Sequence, residues 1–285
     1  MVRKIHANCY IYLILLLMYL PILLIIVFSF SDAPVIGSDL GKFSWIWYEK
    51  LFSSESTKVW QAVGNTLIIA FTSSLVAVVL GTLGAIGAHN LKRKSKKAVE
   101  IVTQIPVVNA EIVMALSLTV MFVFLQSKIF GGAKLFSYWT LLIGHVVLAL
   151  PFVYLSVKPK LQQMDPNLYE AALDLGATPN KALFSVIVPQ IIPGIFSGFL
   201  LAITLSLDDF IITAFTRGSG LLSGDSDIET LSTYIQAAIH KKAIPGSTRA
   251  LTTIIFFTVL LIVIGVAIYQ NRKEKAKEIK KVRNA

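Results

Sequence analysis

Apolar residues in this chain are gathered into long, almost uncharged runs that alternate with short polar segments. A helix that crosses the hydrocarbon core of a bilayer needs about 20 consecutive apolar residues, and several of the runs reach that length. The pattern therefore predicts an all-α membrane protein with six transmembrane helices. The predicted spans are 10–30, 63–88, 106–125, 139–157, 191–215 and 251–269.

The composition supports this fold class. Of the 285 residues, 55% are hydrophobic and 15% are charged, whereas roughly 25% of the residues in soluble domains are charged. The first apolar run follows Arg3 and Lys4, as a signal peptide would. It is longer than the apolar core of a signal peptide and no small-residue cleavage site follows it, so we expect an uncleaved span.

Positive charge is distributed unequally between the two sides of the predicted bundle. The net charge is +10, and 17 of the 26 Lys and Arg residues lie on the side that both termini share, against nine on the other side. Because basic residues mark the cytoplasmic side of a membrane protein, both termini are predicted to be cytoplasmic. The charge therefore gives no reason to expect a nucleic acid partner, and the tail 271–285 is expected to lie near anionic lipid.

These assignments divide the chain into three parts. An N-terminal helix and an external segment occupy 1–62, a core of five helices occupies 63–270, and the basic tail follows at 271–285. The external segment carries Trp45 and Trp47. Tryptophans at such positions are typical of the interfacial belt of membrane proteins, and a role in receiving a ligand from outside is the alternative.

The cytoplasmic loop 158–190 contains two short helix-prone stretches. Asp165 and Thr178 are capping residues that each precede a proline, a pattern typical of a helix start, and Gly176 is placed to end the first helix. Helices this short are marginal in water, so packing must hold them. The residues leave open whether the packing partner is the chain's own bundle or another protein.

The same loop carries a spaced motif: Glu170-Ala171-Ala172, then Gly176 after three residues, then Val186-Ile187-Val188-Pro189 after nine more. The spacing resembles the EAA motif of bacterial ABC importer permeases (E-A-A, three residues, G, nine residues, I-x-L-P), with valine in place of isoleucine and of leucine. The six-span plan and the stretch LSLDDF at 205–210 are similar to the spermidine/putrescine permeases of that family. The resemblance covers nearly the whole chain.

This resemblance implies a type I ABC importer permease fold in a bacterial inner membrane and a subunit that transports polyamines. It also implies three kinds of partner: ATPase subunits, a second and related permease subunit, and an external polyamine-binding protein. The loop would be the coupling helix that docks on the ATPase. The residues that the resemblance assigns to this contact are Glu170, Ala171, Ala172, Leu173, Gly176 and Ala177.

The sequence contains no ATP-binding signature of its own. No G-x-x-x-x-G-K-[ST] motif occurs in it, so ATP and Mg²⁺ are expected in the partner ATPase and no cofactor is expected in this chain. No combination of nucleophile and base suggests an enzyme. His89 and His145 are interpreted as isolated residues, and we assign no metal to them.

Two adjacent acids, Asp208 and Asp209, interrupt the fifth predicted span. A charged side chain inside a membrane helix costs at least ~2.5–3.5 kcal/mol and by default faces a cavity or a pathway. Helical spacing places Ser206, Asp209 and Thr213 on one polar stripe, with Asp208 to one side. Asp209 is therefore expected to face the pathway most directly.

The chemistry of these positions suits a cationic solute. Glu111, near the cytoplasmic start of the third span, is the other acid well inside a span, and aromatic faces such as those of Trp45 or Trp47 attract ammonium groups by cation–π contact. A polyamine would use both kinds of group. The alternatives are a structural pairing of the span-five acids with Arg217 or Lys128, transport of another solute by the same fold, and an ion-coupled transporter or channel that works without an ATPase.

Overall fold

The computed structural model describes residues 2–34, 41–129, 131, 136–218, 228–240 and 245–283. Within these residues the chain is helical, with no β-strand and one isolated antiparallel bridge between Ser31 and Phe43. A 3₁₀ turn at Ser54–Ser56 and a π turn at Leu183–Ile187 join consecutive helices. The helices are α1 (Val2–Ser29), α2 (Ile46–Leu51), α3 (Thr57–His89), α4 (Arg93–Val108), α5 (Glu111–Lys128), α6 (Tyr138–Gln163), α7 (Leu168–Asp174), α8 (Pro179–Ala182), α9 (Val188–Asp208), α10 (Ile211–Thr216), α11 (Leu231–His240) and α12 (Gly246–Arg283).

Five helical segments of the described residues are long and apolar enough to cross a membrane. They are the Tyr10–Ser29 part of α1, then α3, α5 and α6, and the continuous run Pro179–Asp208. The sixth predicted span falls in α12, whose described apolar part, Gly246–Leu261, is shorter than the usual ~20 residues. The predicted all-α membrane fold is confirmed, and six spans are compatible with these five segments together with α12.

The third predicted span, 106–125, merges two helices. α4 ends at Val108, Asn109 is extended with a ψ of 146°, and α5 begins at Glu111. The predicted boundary was wrong because apolar residues continue on both sides of a break that is only two residues long.

The fifth predicted span, 191–215, begins too late and is not continuous. A π turn precedes Pro189, and the helix runs on through this proline into α9. The wider turn relieves the clash that a proline ring makes with the carbonyl four residues earlier in a regular α-helix. At the other end α9 stops at Asp208, because Asp209 is extended with a φ of −61° and a ψ of 128°.

Contacts divide the chain into two compact units, 1–58 with 238–285, and 59–237. The domain boundary at residue 62 stays a prediction. The side chains of residues 1–9 and of the tail 271–285 lie outside the part of the chain that the structure describes, so the cytoplasmic placement of both termini also stays a prediction.

In the first unit, Arg249 of α12 is buried where α1 ends. Its guanidinium donates to the carbonyl oxygens of Phe28, Ala33 and Pro34 at 3.2, 3.0 and 3.1 Å and lies 5.1 Å from the ring centre of Trp47. The last carbonyls of a helix have no partner within the helix. Arg249 supplies one for Phe28 and so fixes the path of the chain where it leaves α1.

In the second unit, α6 packs closely against α3 and α9. Small residues make this possible: a Cβ atom at Gly198 of α9 would lie 3.1 Å from Val153 Cα, and one at Gly81 of α3 would lie 2.8 Å from Val153 Cγ1. Ala149 and Val157 of α6 join Val153 in the buried core of this unit. The packing brings His145 of α6 next to the end of α9.

Gly81→Ala is expected to destabilise the second unit by about 1–3 kcal/mol, because the added methyl group overlaps Val153 and overpacking of a dense core costs that much. The measurement is the thermal unfolding midpoint of the protein in detergent. Gly84→Ala, about one turn along α3, is the matched control, since a Cβ atom there meets nothing within 4 Å among the described residues. Equal midpoints for the two variants would contradict the close packing of α3 on α6.

Candidate functional site

The loop that follows α6 forms two short helices, α7 and α8, around a tight turn. Gly176 has a φ of +83°, a left-handed conformation that glycine adopts readily and other residues rarely do. Its N–H donates to the carbonyl of Leu173 at 2.8 Å, and the N–H of Ala177 donates to that of Ala172 at 3.0 Å. This is the hydrogen-bond pattern of a Schellman C-cap, and the predicted pair of helices around Gly176 is confirmed.

The turn leaves α7 with an inner face that packs on the bundle and an outer face that is exposed. The six residues that the EAA resemblance assigns to coupling are distributed over both faces. Glu170, Ala171 and Gly176 are exposed, Ala172 is buried, and Leu173 and Ala177 are half-buried.

Leu175 was not among those six residues, although it is the most prominent apolar side chain of the loop. Its side chain is 89% exposed, and the neighbouring residue Asp174 is exposed as well. A single exposed leucine is ordinary on a protein surface and does not by itself mark an interface. Spacing places Leu175, four residues after Ala171, on the same side of the helix as this assigned residue, but spacing does not show that this side is exposed.

A cavity of about 420 Å³ opens beside α7. Tyr169 and Glu170 line it from α7, and Ile86, Leu161 and Leu183 line it from neighbouring elements of the second unit. The inner face of α7 is therefore packed along only part of its surface, and a space remains between this helix and the neighbouring elements.

The second candidate site is the break between α9 and α10. Asp208 ends α9 and is exposed. Asp209 is 7% exposed and caps α10: its Oδ1 accepts from the N–H of Ile212 at 3.1 Å, and its Oδ2 accepts from the N–H and the hydroxyl of Thr213 at 2.8 and 2.9 Å. The two acids therefore have opposite environments, although they are adjacent in sequence.

His145 of α6 completes the buried part of this site. Its Nδ1 is 2.7 Å from Ser206 Oγ, and its Nε2 is 2.9 Å from Thr213 Oγ1 and 3.7 Å from Asp209 Oδ2. The interpretation of His145 as isolated was wrong, because packing of α6 against α9 and α10 brings distant polar residues to its ring. The available signal was its position inside a span, where a polar side chain needs a partner.

Three of the predicted pathway residues are brought together, and two remain at the surface. Glu111, the first residue of α5, is exposed, as is Asp208. Arg217, considered above as a partner for the acids, instead donates to Thr233 Oγ1 at 3.1 Å and lies 3.7 Å from Glu229 Oε1. Within the described residues, no group of three or more His, Cys, Asp or Glu is arranged to hold a metal ion. The three residues that are brought together and buried are Ser206, Asp209 and Thr213. The roles of these three and of Glu111 and Asp208 in the pathway stay predictions.

Both tryptophans belong to the first compact unit and contact side chains of that unit. The ring centre of Trp47 lies 5.1 Å from the guanidinium of Arg249 and 5.2 Å from Lys50 Nζ. Trp45 packs edge-on against Phe30, with ring centres 5.1 Å apart, and is half exposed. The face of Trp47 predicted for a cationic solute is thus in contact with cations of the chain itself, and its role toward a solute stays a prediction.

Residues 77–275 match the family model of binding-protein-dependent transport system inner membrane components. The chain belongs to this family. It is 31% identical over 258 residues to the spermidine/putrescine transport system permease protein PotC of Escherichia coli (strain K12), covering 90% of this chain and 91% of that protein. PotC of Haemophilus influenzae is 33% identical over 218 residues, 76% of this chain and 81% of that protein. The putrescine transport system permease protein PotI of Escherichia coli (strain K12) is 33% identical over 204 residues, 71% of each chain.

The family recognised from the EAA spacing is therefore confirmed, together with the permease fold. The chain is a multi-pass permease subunit of an ABC importer in the inner membrane. The matched range contains both the turn of α7 at Gly176 and the break between α9 and α10, so the two candidate sites belong to the part of the chain that the family shares.

Proposed function

We propose that this permease forms half of the pathway by which an ATP-driven importer carries polyamines into the cell. The observation that carries the proposal is the similarity to a spermidine/putrescine permease over nine-tenths of both chains. The charge pattern supports it, since the charged residues within the predicted spans are Glu111, Asp208 and Asp209. Carboxylates inside a membrane protein favour a cation over an anion as the transported solute.

In this proposal the chain contributes a docking surface and no source of energy. The sequence contains no ATP-binding motif, so separate ATPase subunits bind ATP and Mg²⁺ and receive the exposed surface of α7, which includes Glu170 and Leu175. A second, related permease subunit completes the pathway, and an external binding protein delivers the polyamine. The excess of Lys and Arg on the side of this loop supports a cytoplasmic α7 and cytoplasmic termini.

Asp208 and Glu111 are the carboxylates best placed to meet an ammonium group, because both are exposed in the chain. Asp209 contributes to the pathway indirectly, because it caps α10 and so stabilises the break that follows Asp208. Contact with the solute must be weak in each state, because a transporter also has to release its cargo. Two exposed carboxylates on separate helices suit a flexible amine with several charges better than they suit a neutral solute.

The test is uptake of labelled spermidine and putrescine by proteoliposomes that contain the complete complex and ATP. Unlabelled amines, amino acids and sulfate serve as competitors. Competition by amines alone supports the proposal, whereas inhibition by sulfate or by amino acids would assign another solute to the same fold. Proteoliposomes with this chain alone test the ion-coupled alternative, and uptake driven there by an ion gradient would overturn the proposal.

Gly176→Val is expected to lower the ATP-driven uptake rate severalfold while the protein still reaches the membrane. A β-branched residue at a φ of +83° costs about 1–3 kcal/mol, which distorts the turn that presents Leu175. Gly176→Asn is the matched control, because asparagine tolerates the left-handed conformation best after glycine. The initial uptake rate, divided by the amount of permease in the membrane, should be near the wild-type value for asparagine and low for valine. Equal rates would show that this turn does not matter for coupling.

A further inference from the structure

The ring of His145 bonds to both sides of the break between α9 and α10. Nδ1 is 2.7 Å from the hydroxyl of Ser206, in the last turn of α9, and Nε2 is 2.9 Å from the hydroxyl of Thr213, in α10. The residue is 1% exposed, so bulk water cannot replace either contact. His145 therefore joins three helices at the point where the fifth span is interrupted.

The positions of the hydrogen atoms follow from the number of donors. Asp209 accepts from two backbone N–H groups and from the hydroxyl of Thr213, as an ionised carboxylate does, because it can only accept. Thr213 has one hydroxyl proton, and this proton points to Asp209. The hydroxyl oxygen must then accept from His145, so Nε2 carries the ring proton. In the neutral ring, Nδ1 accepts from Ser206, whose Oγ is 3.3 Å from Ser73 Oγ in α3.

Side chains hold the break, because the backbone there leaves the helical conformation. Asp209 caps α10, and the hydroxyl of Ser232 donates to the backbone carbonyl of Asp209 at 2.6 Å. The ring of His145 is hydrogen-bonded to α10 through Thr213 and to the last turn of α9 through Ser206. Among the described contacts, this single side chain therefore connects the two helices across the break. Without this ring, Ser206 and Thr213 would each lose a buried partner.

We infer that His145 is a positioning residue for transport. As a neutral imidazole protonated at Nε2, it holds the break in the conformation that leaves Asp208 exposed at the end of α9. The inference rests on the proposed function in one respect, that Asp208 meets the solute. The protonation of the ring and its two hydrogen bonds do not depend on what is transported.

Three substitutions at position 145 separate this role from simple packing. The amide nitrogen of glutamine reaches about as far from Cα as Nε2 does and can donate to Thr213. The amide of asparagine reaches only as far as Nδ1. Leucine fills the space without a donor. We expect H145Q to keep about half or more of the wild-type maximal uptake rate, because Ser206, which loses its acceptor in this variant, can donate to Ser73 Oγ at 3.3 Å instead. H145N and H145L are expected to lose about tenfold or more, because each leaves the buried Thr213 oxygen without a donor. The half-saturating polyamine concentration should stay within about twofold of wild type, since in the proposed function the external binding protein captures the solute and a lost conformation in this chain lowers the rate of later steps.

Nitrogen-15 NMR of the histidine-labelled wild-type complex reads the protonation of the ring without any solute. The signals that disappear in H145Q belong to His145, and they should report a protonated Nε2 and a bare Nδ1. A protonated Nδ1 overturns the inference. So does a normal uptake rate in H145L, or normal uptake in H145N together with loss in H145Q.

If all three variants lose uptake, the NMR result on the wild-type complex decides: a bare Nδ1 supports the assigned network, and a protonated Nδ1 overturns it. A wild-type complex that carries no polyamine would refute the proposed function instead. In that event the protonation state still tests the role of His145 at the break, so the two failures are distinguishable.

Discussion

Leu175→Asp is expected to abolish ATP-driven uptake while the permease still inserts into the membrane. The leucine side chain is 89% exposed at the end of α7, so it is the apolar group of this loop best placed to be buried by a docked ATPase. Truncation of an anchoring side chain at an interface costs about 2 kcal/mol or more, and burial of an unpaired carboxylate adds to this cost. At ~1.4 kcal/mol per factor of ten, the docking affinity should fall roughly 30-fold or more.

The measurement is co-purification of the ATPase with the tagged permease, together with uptake into proteoliposomes. Leu175→Met is the matched control, because it keeps an apolar side chain of similar size and should leave both readings near wild type. Glu170→Trp tests another exposed position of α7 and is expected to uncouple transport as well. Normal co-purification and uptake of the aspartate variant would mean that the loop is a surface elbow of the bundle and that the ATPase docks elsewhere.

Asp209→Ala is expected to lower the amount of folded protein more than any other change considered. The carboxylate caps α10, and loss of an N-cap costs about 0.5–2 kcal/mol. The cost is higher here because the capped donors of Ile212 and Thr213 are buried, and each group left unsatisfied costs about 1–3 kcal/mol. The sum is several kcal/mol, a large part of the 5–15 kcal/mol by which a typical protein is stable. Yield from membranes and the thermal unfolding midpoint measure the effect.

Asp208→Asn is the adjacent control with the opposite expectation. Asp208 is exposed, so the substitution should leave the unfolding midpoint unchanged and lower polyamine uptake through loss of a negative charge. If Asp209→Ala instead kept the wild-type midpoint and lost only uptake, Asp209 would face the pathway directly, as the helical spacing predicted. The pair of variants therefore separates a structural acid from one that meets the solute.

The turn in the cytoplasmic loop could be predicted because its signals are local. Thr178 accepts from the N–H of Lys181 at 3.4 Å, as expected of a cap, and Gly176 adopts the left-handed conformation that its position suggested. Capping and backbone conformation depend on residues within a few positions of each other. The exposure of Leu175 was missed because periodicity shows which residues share a face and does not show which face meets the bundle.

The break at Asp209 and the two-residue gap before Glu111 could not be predicted in the same way. Apolar residues lie on both sides of each break, so the hydropathy profile shows no interruption. A span that is interrupted by one or two extended residues has nearly the same composition as a continuous one. A break at this depth is tolerated only where side chains or neighbouring helices satisfy the backbone groups that it exposes. At Asp209 those groups are satisfied by its own carboxylate and by Ser232, 23 residues away.

The sequence by itself determined the membrane class, the approximate spans, the family and the turn at Gly176, and it predicts the orientation. These features depend on composition, charge distribution and short-range spacing, because a lipid environment requires long apolar helices and basic flanks wherever they occur. Only the tertiary structure decided which of two adjacent acids is buried and what surrounds His145. Ser206 and Thr213 are 61 and 68 residues from His145 in sequence. They meet its ring because α6, α9 and α10 pack together, and contacts over such separations leave no periodic trace in the chain.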